Sequence, residues 1–295
     1  MRHSMKKKRV LLTGSSGILG RNICPHLRAR FDLLAGYHNL RPSADINSEF
    51  LDITDRRSVF DIIDGFVPDV VIHLAGKNLK FCEENPETAR SVNYNATRNI
   101  ADACSRKGIK LIFLSSDYVF DGSKGNYRES DPVNPASVYG RTKALSEAYI
   151  RKKCARYAII RASGVYGPNA TFYEMVINSL ASNKALEPFA DTYFTPTYIG
   201  DLVWVLINQA KSSETKGIFH VAGTSVVSRY EMAFMMAVIS NADIKLLRPG
   251  YVSRSAACIH KNTSLNCLYT MKVLGKRFLG IKEGLTLLIA KGAGG

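Results

Sequence analysis

The sequence predicts an α/β fold built on a doubly wound parallel sheet, and three observations support this prediction. Short runs of β-branched residues alternate with longer helical stretches in the first half of the chain, at a spacing typical of βαβ units. A glycine-rich turn follows the first of these runs. The composition, 46% hydrophobic and 22% charged over 295 residues, indicates a globular protein with room for one large domain and one smaller one.

The alternation can be followed element by element. Parallel strands must be joined by crossovers, which are usually helices, and a predicted helix lies between each predicted strand and the next. The predicted strands are Arg9–Thr13, Leu33–Tyr37, Asp69–Leu74, Lys110–Ser115 and Ala158–Arg161. The predicted helices are Ile18–Arg30, Asp55–Phe66, Pro86–Lys107 and Ala136–Lys153.

Beyond Pro168 the alternation weakens. The remaining predicted elements are a strand at Ile218–Val221 and helices at Phe172–Ser182, Asp201–Lys211 and Arg229–Ser240. We place a first domain at residues 6–162 and a smaller, mostly C-terminal lobe at residues 163–291. No flexible linker separates the two, so we expect the lobe to pack on the first domain.

The net charge of +15 is concentrated at the two ends of the chain. Residues 1–30 hold eight Lys or Arg and no acid, and residues 241–295 hold nine against two acids. Such ends suit an anionic partner: nucleic acid, an anionic membrane or a small phosphorylated ligand. Nucleic acid is disfavoured because no helix-turn-helix, zinc finger or aromatic-basic pattern accompanies the charge.

The lengths of the apolar runs indicate where in the cell the protein is expected. The longest of them, such as Met232–Ile239, are far shorter than the roughly 20 residues of a membrane span. The basic start Lys6–Arg9 is followed by an apolar stretch of only Val10–Leu12, too short for a signal peptide. We therefore expect a cytoplasmic protein without a transmembrane segment.

The six cysteines predict neither a disulfide scaffold nor a metal site. Their spacing is irregular and contains no Cys-x-x-Cys pair. Cys258, His260 and Cys267 lie close in sequence, but a tetrahedral site needs a fourth ligand that is not nearby.

The glycine-rich turn, Thr13–Gly20, has the sequence of a phosphate-binding loop. It follows a strand and opens a helix, so glycines allow a tight turn and close approach of a pyrophosphate, while the helix N-terminus offers N–H groups. This context predicts a dinucleotide site. The residues assigned to it are Gly14, Ser16, Gly17, Ile18, Leu19 and Gly20.

The end of the second strand indicates which dinucleotide. NAD-binding proteins usually place an acid there for the ribose 2′-hydroxyl. Here the strand ends Gly36-Tyr37-His38-Asn39 and Arg41 follows closely. Because no carboxylate repels a 2′-phosphate, and His38 and Arg41 could bind one, the sequence favours NADP(H) over NAD(H).

A tyrosine and a lysine supply the candidate chemistry. Tyr139 and Lys143 are four residues apart in a predicted helix, so their side chains share one face. An ammonium beside the phenol is expected to lower its pKa and make it a usable proton donor. Ser116 follows a strand at the carboxyl edge of the sheet, where doubly wound folds place ligands. We predict that these three side chains converge on a carbonyl group.

With these motifs in order, the chain resembles the extended short-chain dehydrogenase/reductases, which have a Rossmann fold, and most closely the dTDP-4-dehydrorhamnose reductases. The similarity covers most of residues 9–240. It rests on the glycine loop and on five further stretches: Leu51–Thr54, Phe81–Pro86, Ser115–Gly122, Tyr139–Lys143 and Thr195–Tyr198.

The resemblance implies an NADP-dependent reductase of a nucleotide-linked 4-keto-6-deoxysugar. It implies that Tyr139 protonates the keto oxygen, Lys143 holds the nicotinamide ribose and Ser116 hydrogen-bonds the keto oxygen. Tyr118 would touch the sugar. The remaining cofactor positions implied are Asp52 and Ile53 beside the adenine, and Leu74, Ala75 and Gly76 along the cofactor.

The chain departs from this family at two places. Many of these reductases have a tryptophan after the sixth strand, where this chain has Gly164 within Arg161–Gly167. The segment Lys77–Lys80 also differs from the common forms. These differences predict an altered sugar pocket and leave the sugar and nucleotide open.

Two alternatives remain open. A related nucleotide-sugar epimerase or dehydratase is one, although dehydratases carry an acidic pair where this chain has Asp117-Tyr118. The other is a non-catalytic, cofactor-binding regulatory subunit, like that of methionine adenosyltransferase, because such relatives can retain the same residues. Homo-oligomerisation is compatible with either.

Overall fold

The fold is taken from a computed structural model, which describes residues 7–212, 215–252 and 260–292. Three residues or segments named above lie outside these ranges. Cys258, the first residue of the predicted first domain and the basic stretch before Lys7 lie outside the described residues.

A seven-stranded parallel sheet forms the centre of the fold. Its strands are β1 Arg9–Thr13, β2 Asp32–Tyr37, β3 Ser48–Phe50, β4 Val70–His73, β5 Lys110–Ser116, β6 Tyr157–Ala162 and β10 Gly217–Val221. Their order across the sheet is β10-β6-β5-β4-β1-β2-β3. The order reverses between β1 and β4, so the carboxyl ends of these strands flank the point where open sheets bind ligands. The predicted α/β class is confirmed.

Eleven α-helices accompany the sheet among the described residues. They are α1 Ile18–Arg30, α2 Arg56–Phe66, α3 Leu79–Glu84, α4 Pro86–Ala89, α5 Ala96–Lys107, α6 Val138–Lys153, α7 Thr171–Ala181, α8 Ile199–Lys211, α9 Arg229–Ile239, α10 Leu268–Leu274 and α11 Ile281–Gly292. Four short strands complete the list: β7 Val165–Tyr166, β8 Tyr193–Phe194, β9 Thr197–Tyr198 and β11 Val227–Ser228.

The predicted elements match those of the structure within one or two residues, with one internal difference. The helix predicted over Pro86–Lys107 is α4, then a π-helical segment at Arg90–Asn95, then α5. The apolar periodicity of the sequence does not distinguish these three segments, because the chain stays helical throughout. The elements that the sequence did not predict are β3, β7, β8, β9, β11, α3, α10 and α11.

Continuous burial explains why these segments form the central strands of the sheet. All four residues of β4 are buried, as are nearly all of β5, as expected for strands covered on both faces. One large cluster of buried apolar side chains forms part of this core, and residues of β1, α2, α5 and β5 contribute to it. Its members include Leu11, Ile63, Ile100, Leu111 and Phe113.

The chain divides into two compact units. The first contains the described residues up to Val119, together with Ser137–Ile160 and the described part of Val203–Ile218. The second contains Phe120–Ala136, Arg161–Leu202 and the described residues from Phe219 onward. Both units are discontinuous in sequence, whereas the sequence analysis used a single boundary between residues 162 and 163.

The second unit has its own apolar core. It is built from α7, α9 and the start of α11, and includes Val176, Met232, Met236 and Leu285. Helix α9 begins with a capping box, in which Ser228 and Glu231 each accept a backbone N–H from the other. Among the described residues, no helix combines the length and apolarity needed to cross a membrane.

Candidate active site

The glycine loop takes the conformation that its sequence predicts. Gly14 has φ of +72°, and a Cβ there would stand 2.7 Å from the Ala75 nitrogen, so only glycine fits. A Cβ at Gly20 would stand 2.2 Å from the Gly14 carbonyl oxygen. Gly17 is the N-cap of α1 and contributes no side-chain cap, so the first turn of that helix keeps donors for an anion.

This loop forms one wall of a cleft of about 410 Å³ in the first unit. The cleft lies at the carboxyl ends of β1, β2 and β4. Of the predicted cofactor residues, those that line it are Gly14, Ser16, Gly17, His38, Asp52, Ile53, Leu74, Ala75 and Gly76. The absence of Cβ atoms at the loop and the free helix end are what a pyrophosphate requires, so these residues fit a dinucleotide.

Other predicted cofactor residues lie beside the cleft rather than in its lining. Ile18, Leu19 and Gly20 form the first turn of α1, with Leu19 buried and Ile18 exposed. Arg41 is exposed, and its Nε donates to the Ser48 hydroxyl across 3.4 Å.

Asp52 is held rigidly in the cleft wall. Its carboxylate accepts the Thr54 hydroxyl at 2.7 Å and the Thr54 backbone N–H at 2.9 Å. These bonds, with a smaller contribution from the charge of His38, lower the pKa of Asp52. A fixed carboxylate therefore stands near His38 at this end of the cleft.

The structure brings Ser116, Tyr139 and Lys143 into one group. Ser116 ends β5, and the other two extend from the first turns of α6, which Ser137 caps by accepting the Gly140 N–H at 3.0 Å. The Lys143 Nζ donates to the Leu114 carbonyl at 2.9 Å and lies 5.8 Å from the centre of the Tyr139 ring.

The group adjoins the cofactor cleft. A Cβ at Gly76, which lines the cleft, would stand 3.8 Å from the Lys143 Nζ. Tyr118 also reaches the group, with its ring edge-to-face against that of Tyr139 at 6.0 Å between centroids. The four side chains therefore lie together beside the cleft, and their convergence on a carbonyl group stays a prediction.

Ser116 has a close partner that the sequence analysis did not assign. Its hydroxyl donates to the Asp117 carboxylate at 2.8 Å and accepts the Tyr118 N–H at 3.3 Å. Asp117 is buried at 3% exposure. The serine proton therefore points toward a carboxylate in this structure.

The expected lowering of the Tyr139 pKa is wrong for this structure. Although the residue as a whole is only partly buried, loss of water around its hydroxyl raises the pKa, and a hydrogen bond with Ser116 only partly offsets this. The Asp117 charge raises it further. The phenol is therefore protonated at neutral pH.

Burial also acts on the lysine. It lowers the pKa of Lys143 to about 8, and the negative charge of Glu147 opposes this shift. The ammonium form therefore predominates at neutral pH and is lost above pH 8.

A buried hydrogen-bonded chain connects the glycine loop to the π-helical segment. The Thr97 hydroxyl donates to the Asn93 carbonyl at 2.7 Å, so it accepts from His73 Nε2 at 3.0 Å. The other ring nitrogen of His73 then accepts from the Thr13 hydroxyl at 2.7 Å. Burial, with the nearby charge of Lys143, lowers the pKa of His73 to about 3, so the ring is neutral.

Asn93 is central to this region, although none of the site residues predicted from the sequence is Asn93. Its Oδ1 accepts the Lys77 N–H at 2.7 Å, and its Nδ2 donates to the Lys77 carbonyl at 3.1 Å. Nδ2 also lies 3.3 Å from both Cys82 Sγ and Thr142 Oγ1. The π-helical turn, which sequence periodicity does not reveal, orients this side chain.

Packing in the second unit explains why residue 164 is a glycine and not a larger residue. Gly164 has φ of +45°, and a Cβ there would stand 2.3 Å from the Phe194 ring. The Arg229 guanidinium covers the same ring at 4.3 Å. Phe194 therefore packs where a larger residue 164 would extend.

No group of three His, Cys, Asp or Glu side chains suited to a metal ion occurs in the part of the chain that the structure describes. His260 and Cys267 are both buried there. Cys258, the third member of the set considered above, is outside it.

The parallel sheet, glycine loop and Ser-Tyr-Lys group together define the extended short-chain dehydrogenase/reductase class. Within that class, the chain belongs to the family described as the RmlD substrate binding domain, whose model matches residues 8–290.

The curated proteins similar to this chain include a reductase and a subunit of methionine adenosyltransferase. The dTDP-4-dehydrorhamnose reductase of Aggregatibacter actinomycetemcomitans is 35% identical over 76% of this chain and 76% of its own length. Methionine adenosyltransferase 2 subunit beta of Xenopus tropicalis is 31% identical over 94% of this chain and 87% of its own length.

Solved structures agree on the fold. The dTDP-4-dehydrorhamnose reductase of Bacillus anthracis, in complex with NADP, superposes with a TM-score of 0.85 at 25% identity, covering 97% of this chain and 100% of that one. A hypothetical dTDP-4-dehydrorhamnose reductase from Sulfolobus tokodaii gives 0.84 at 30% identity, covering 94% and 98%.

Proposed function

We propose that this protein is an NADP-dependent reductase of a nucleotide-linked 4-keto-6-deoxysugar. The observation that carries the proposal is the convergence of Ser116, Tyr139 and Lys143 beside a glycine-walled cleft. The similarity to two reductases named for dTDP-4-dehydrorhamnose supports the class of substrate.

The cleft would hold the dinucleotide with its pyrophosphate over Gly14–Gly20 and its adenine near Asp52 and Ile53. Leu74, Ala75 and Gly76 would line the path toward the nicotinamide. When bound there, the cofactor supplies the hydride. The chain contributes alignment, a proton and charge.

Tyr139 is the proposed proton donor to the keto oxygen. Because burial keeps its phenol protonated, it holds the proton that a reduction consumes. Ser116 would hydrogen-bond the same oxygen, which requires its hydroxyl to turn away from Asp117.

The Lys143 ammonium would bind the nicotinamide ribose with the hydrogens not used by Leu114, and would stabilise the phenolate that remains after proton transfer. Tyr118, whose ring meets that of Tyr139, would contact the sugar.

We propose a preference for NADP over NAD because β2 ends without a carboxylate and His38 lines the cleft. Arg41 is close enough in sequence to reach a 2′-phosphate by turning from Ser48. Titration of NADPH and NADH against the protein tests this: a tighter dissociation constant for NADH would overturn the preference. Arg41→Ala should weaken NADPH binding and leave NADH binding unchanged.

A second function is favoured by one specific observation. The methionine adenosyltransferase subunit aligns over 94% of this chain, more than the 76% covered by the curated reductase. A regulatory subunit would bind the dinucleotide in the same cleft without turning over a sugar.

One experiment separates the two functions. The purified protein is mixed with NADPH and a panel of nucleotide-linked 4-keto-6-deoxysugars, and the absorbance of the reduced nicotinamide is followed. We expect turnover with at least one sugar, and turnover slower by about 10²–10⁴-fold with Tyr139→Phe. Tight NADPH binding without turnover of any sugar would favour the regulatory function.

A further inference from the structure

We propose that Glu83 is a positioning residue for Tyr139. Its carboxylate bridges the start of α6 from outside that helix: Oε2 accepts the Val138 N–H at 3.2 Å and Oε1 accepts the Tyr139 N–H at 3.1 Å. This inference rests on the proposed function, since it assigns a role in presenting the proton donor.

The bridge supplies what the first turn of a helix lacks. The first N–H groups of a helix have no partner within it. In α6, Ser137 accepts the Gly140 N–H, and Glu83 accepts the two N–H groups before it. A negative charge at this end is also favourable to the helix dipole. One carboxylate therefore fixes the backbone of Tyr139 itself.

The carboxylate is held from its own side as well. Glu83 belongs to α3, which begins with Asn78 accepting the Phe81 N–H at 3.0 Å. The preceding residue, Cys82, is fully buried and lies 3.3 Å from the Asn93 amide nitrogen. Because Asn93 in turn holds the Lys77 backbone, α3 is fixed to the wall of the cofactor cleft.

The consequence concerns distance rather than acidity. Small displacements of a reacting group can cost about 10²-fold in rate. The largest causes of the Tyr139 pKa shift are burial, the Ser116 hydrogen bond and the Asp117 charge, whereas Glu83 bonds the backbone N–H and not the hydroxyl. Loss of the bridge should therefore slow the reaction without moving the pH at which the donor titrates.

Glu83→Gln tests the proposal, because its amide keeps the size of the side chain but offers only one acceptor oxygen for two N–H groups. We expect kcat to fall by about tenfold or more, with the NADPH dissociation constant and the pH limbs of kcat unchanged. The neighbouring Glu84→Gln is the matched control, since Glu84 is exposed and pairs with Lys80 at 3.9 Å on the surface of α3. It should leave kcat unchanged.

Hydrogen exchange measures the bridge directly. The backbone amides of Val138 and Tyr139 should exchange faster in Glu83→Gln than in the wild type, and not in Glu84→Gln. In a Tyr139→Phe background, Glu83→Gln should cause little further loss of residual activity, because the group that it positions is gone.

Several results would overturn the positioning role of Glu83. Wild-type kcat, unchanged amide exchange, or a fully additive loss in the Tyr139→Phe background would overturn the positioning role. A shifted pH limb would overturn it in favour of an electrostatic role. If the wild-type protein turns nothing over, the reductase proposal fails, and the exchange measurement alone decides whether Glu83 fixes Tyr139.

Discussion

Replacing Gly14 by alanine tests whether the glycine loop is built for close approach to the cleft wall. The Cβ would stand 2.7 Å from the Ala75 nitrogen, 2.9 Å from its Cα and 3.0 Å from the Leu74 carbonyl carbon. All three are backbone atoms, so no side chain can turn aside to relieve the overlap. Since Leu74 and Ala75 line the cleft, the strain falls on the cofactor site.

The magnitude has two parts. The left-handed φ of +72° costs an L-residue about 1–2 kcal/mol, and overpacking against a fixed neighbour costs about 1–3 kcal/mol more. Gly108 provides the matched control. Its φ is +64°, but a Cβ there would meet nothing within 4 Å, so Gly108→Ala should show only the first part.

Urea unfolding followed by circular dichroism, and NADPH titration by fluorescence, measure the two variants. We expect Gly14→Ala to be about 1–3 kcal/mol less stable than Gly108→Ala and to bind NADPH at least about tenfold more weakly, a loss of about 1.4 kcal/mol. Gly108→Ala should bind NADPH as the wild type does. Equal stability of the two variants, together with undiminished NADPH affinity in Gly14→Ala, would refute the reasoning.

Three further predictions concern the site and the fold. Tyr139→Phe should lower kcat by about 10²–10⁴-fold while the NADPH dissociation constant, measured by the same titration, stays within about twofold, because general-acid catalysis is lost and the cleft is untouched. A pH profile of kcat should fall above about pH 8, where Lys143 loses its proton, and Lys143→Arg should remove that limb because the guanidinium stays charged. Val67→Gly should raise the free energy of unfolding by about 1 kcal/mol, because Val67 ends α2 at φ of 45°, where a β-branched residue is strained; an unchanged urea midpoint would contradict this.

Much of the fold could be predicted because it depends on patterns that are local in sequence. The apolar run of β4 predicts a buried strand, and the glycines before α1 predict a tight turn, because both effects depend only on the local residues. Helix α3 is different. Six residues give too few turns for an apolar period to show, and its position depends on contacts with Asn93 and the start of α6, which are distant in sequence.

The candidate site shows the same division. The four-residue spacing of Tyr139 and Lys143 predicts a shared helix face, and the structure has it. The hydrogen-bond partner of Ser116 is the next residue in the sequence, Asp117. The sequence does not predict this bond, because whether adjacent side chains bond to each other depends on the backbone turn after β5. Glu83 lies more than fifty residues before the helix that it bridges, and no sequence pattern links an acid to two distant N–H groups.

The pKa of Tyr139 shows why charge alone was a poor guide. The sequence places an ammonium one turn away, which favours the phenolate, but the fold also removes water from the hydroxyl and sets the Asp117 carboxylate beside it, and both favour the neutral phenol. A proton donor must carry its proton when the substrate arrives, and the neutral phenol meets that condition, while its raised pKa makes it a weaker acid. The Lys143 charge then acts once the proton has left, when it stabilises the phenolate. The same environment would be a poor choice for a base, because a group that stays protonated at neutral pH does not accept a proton.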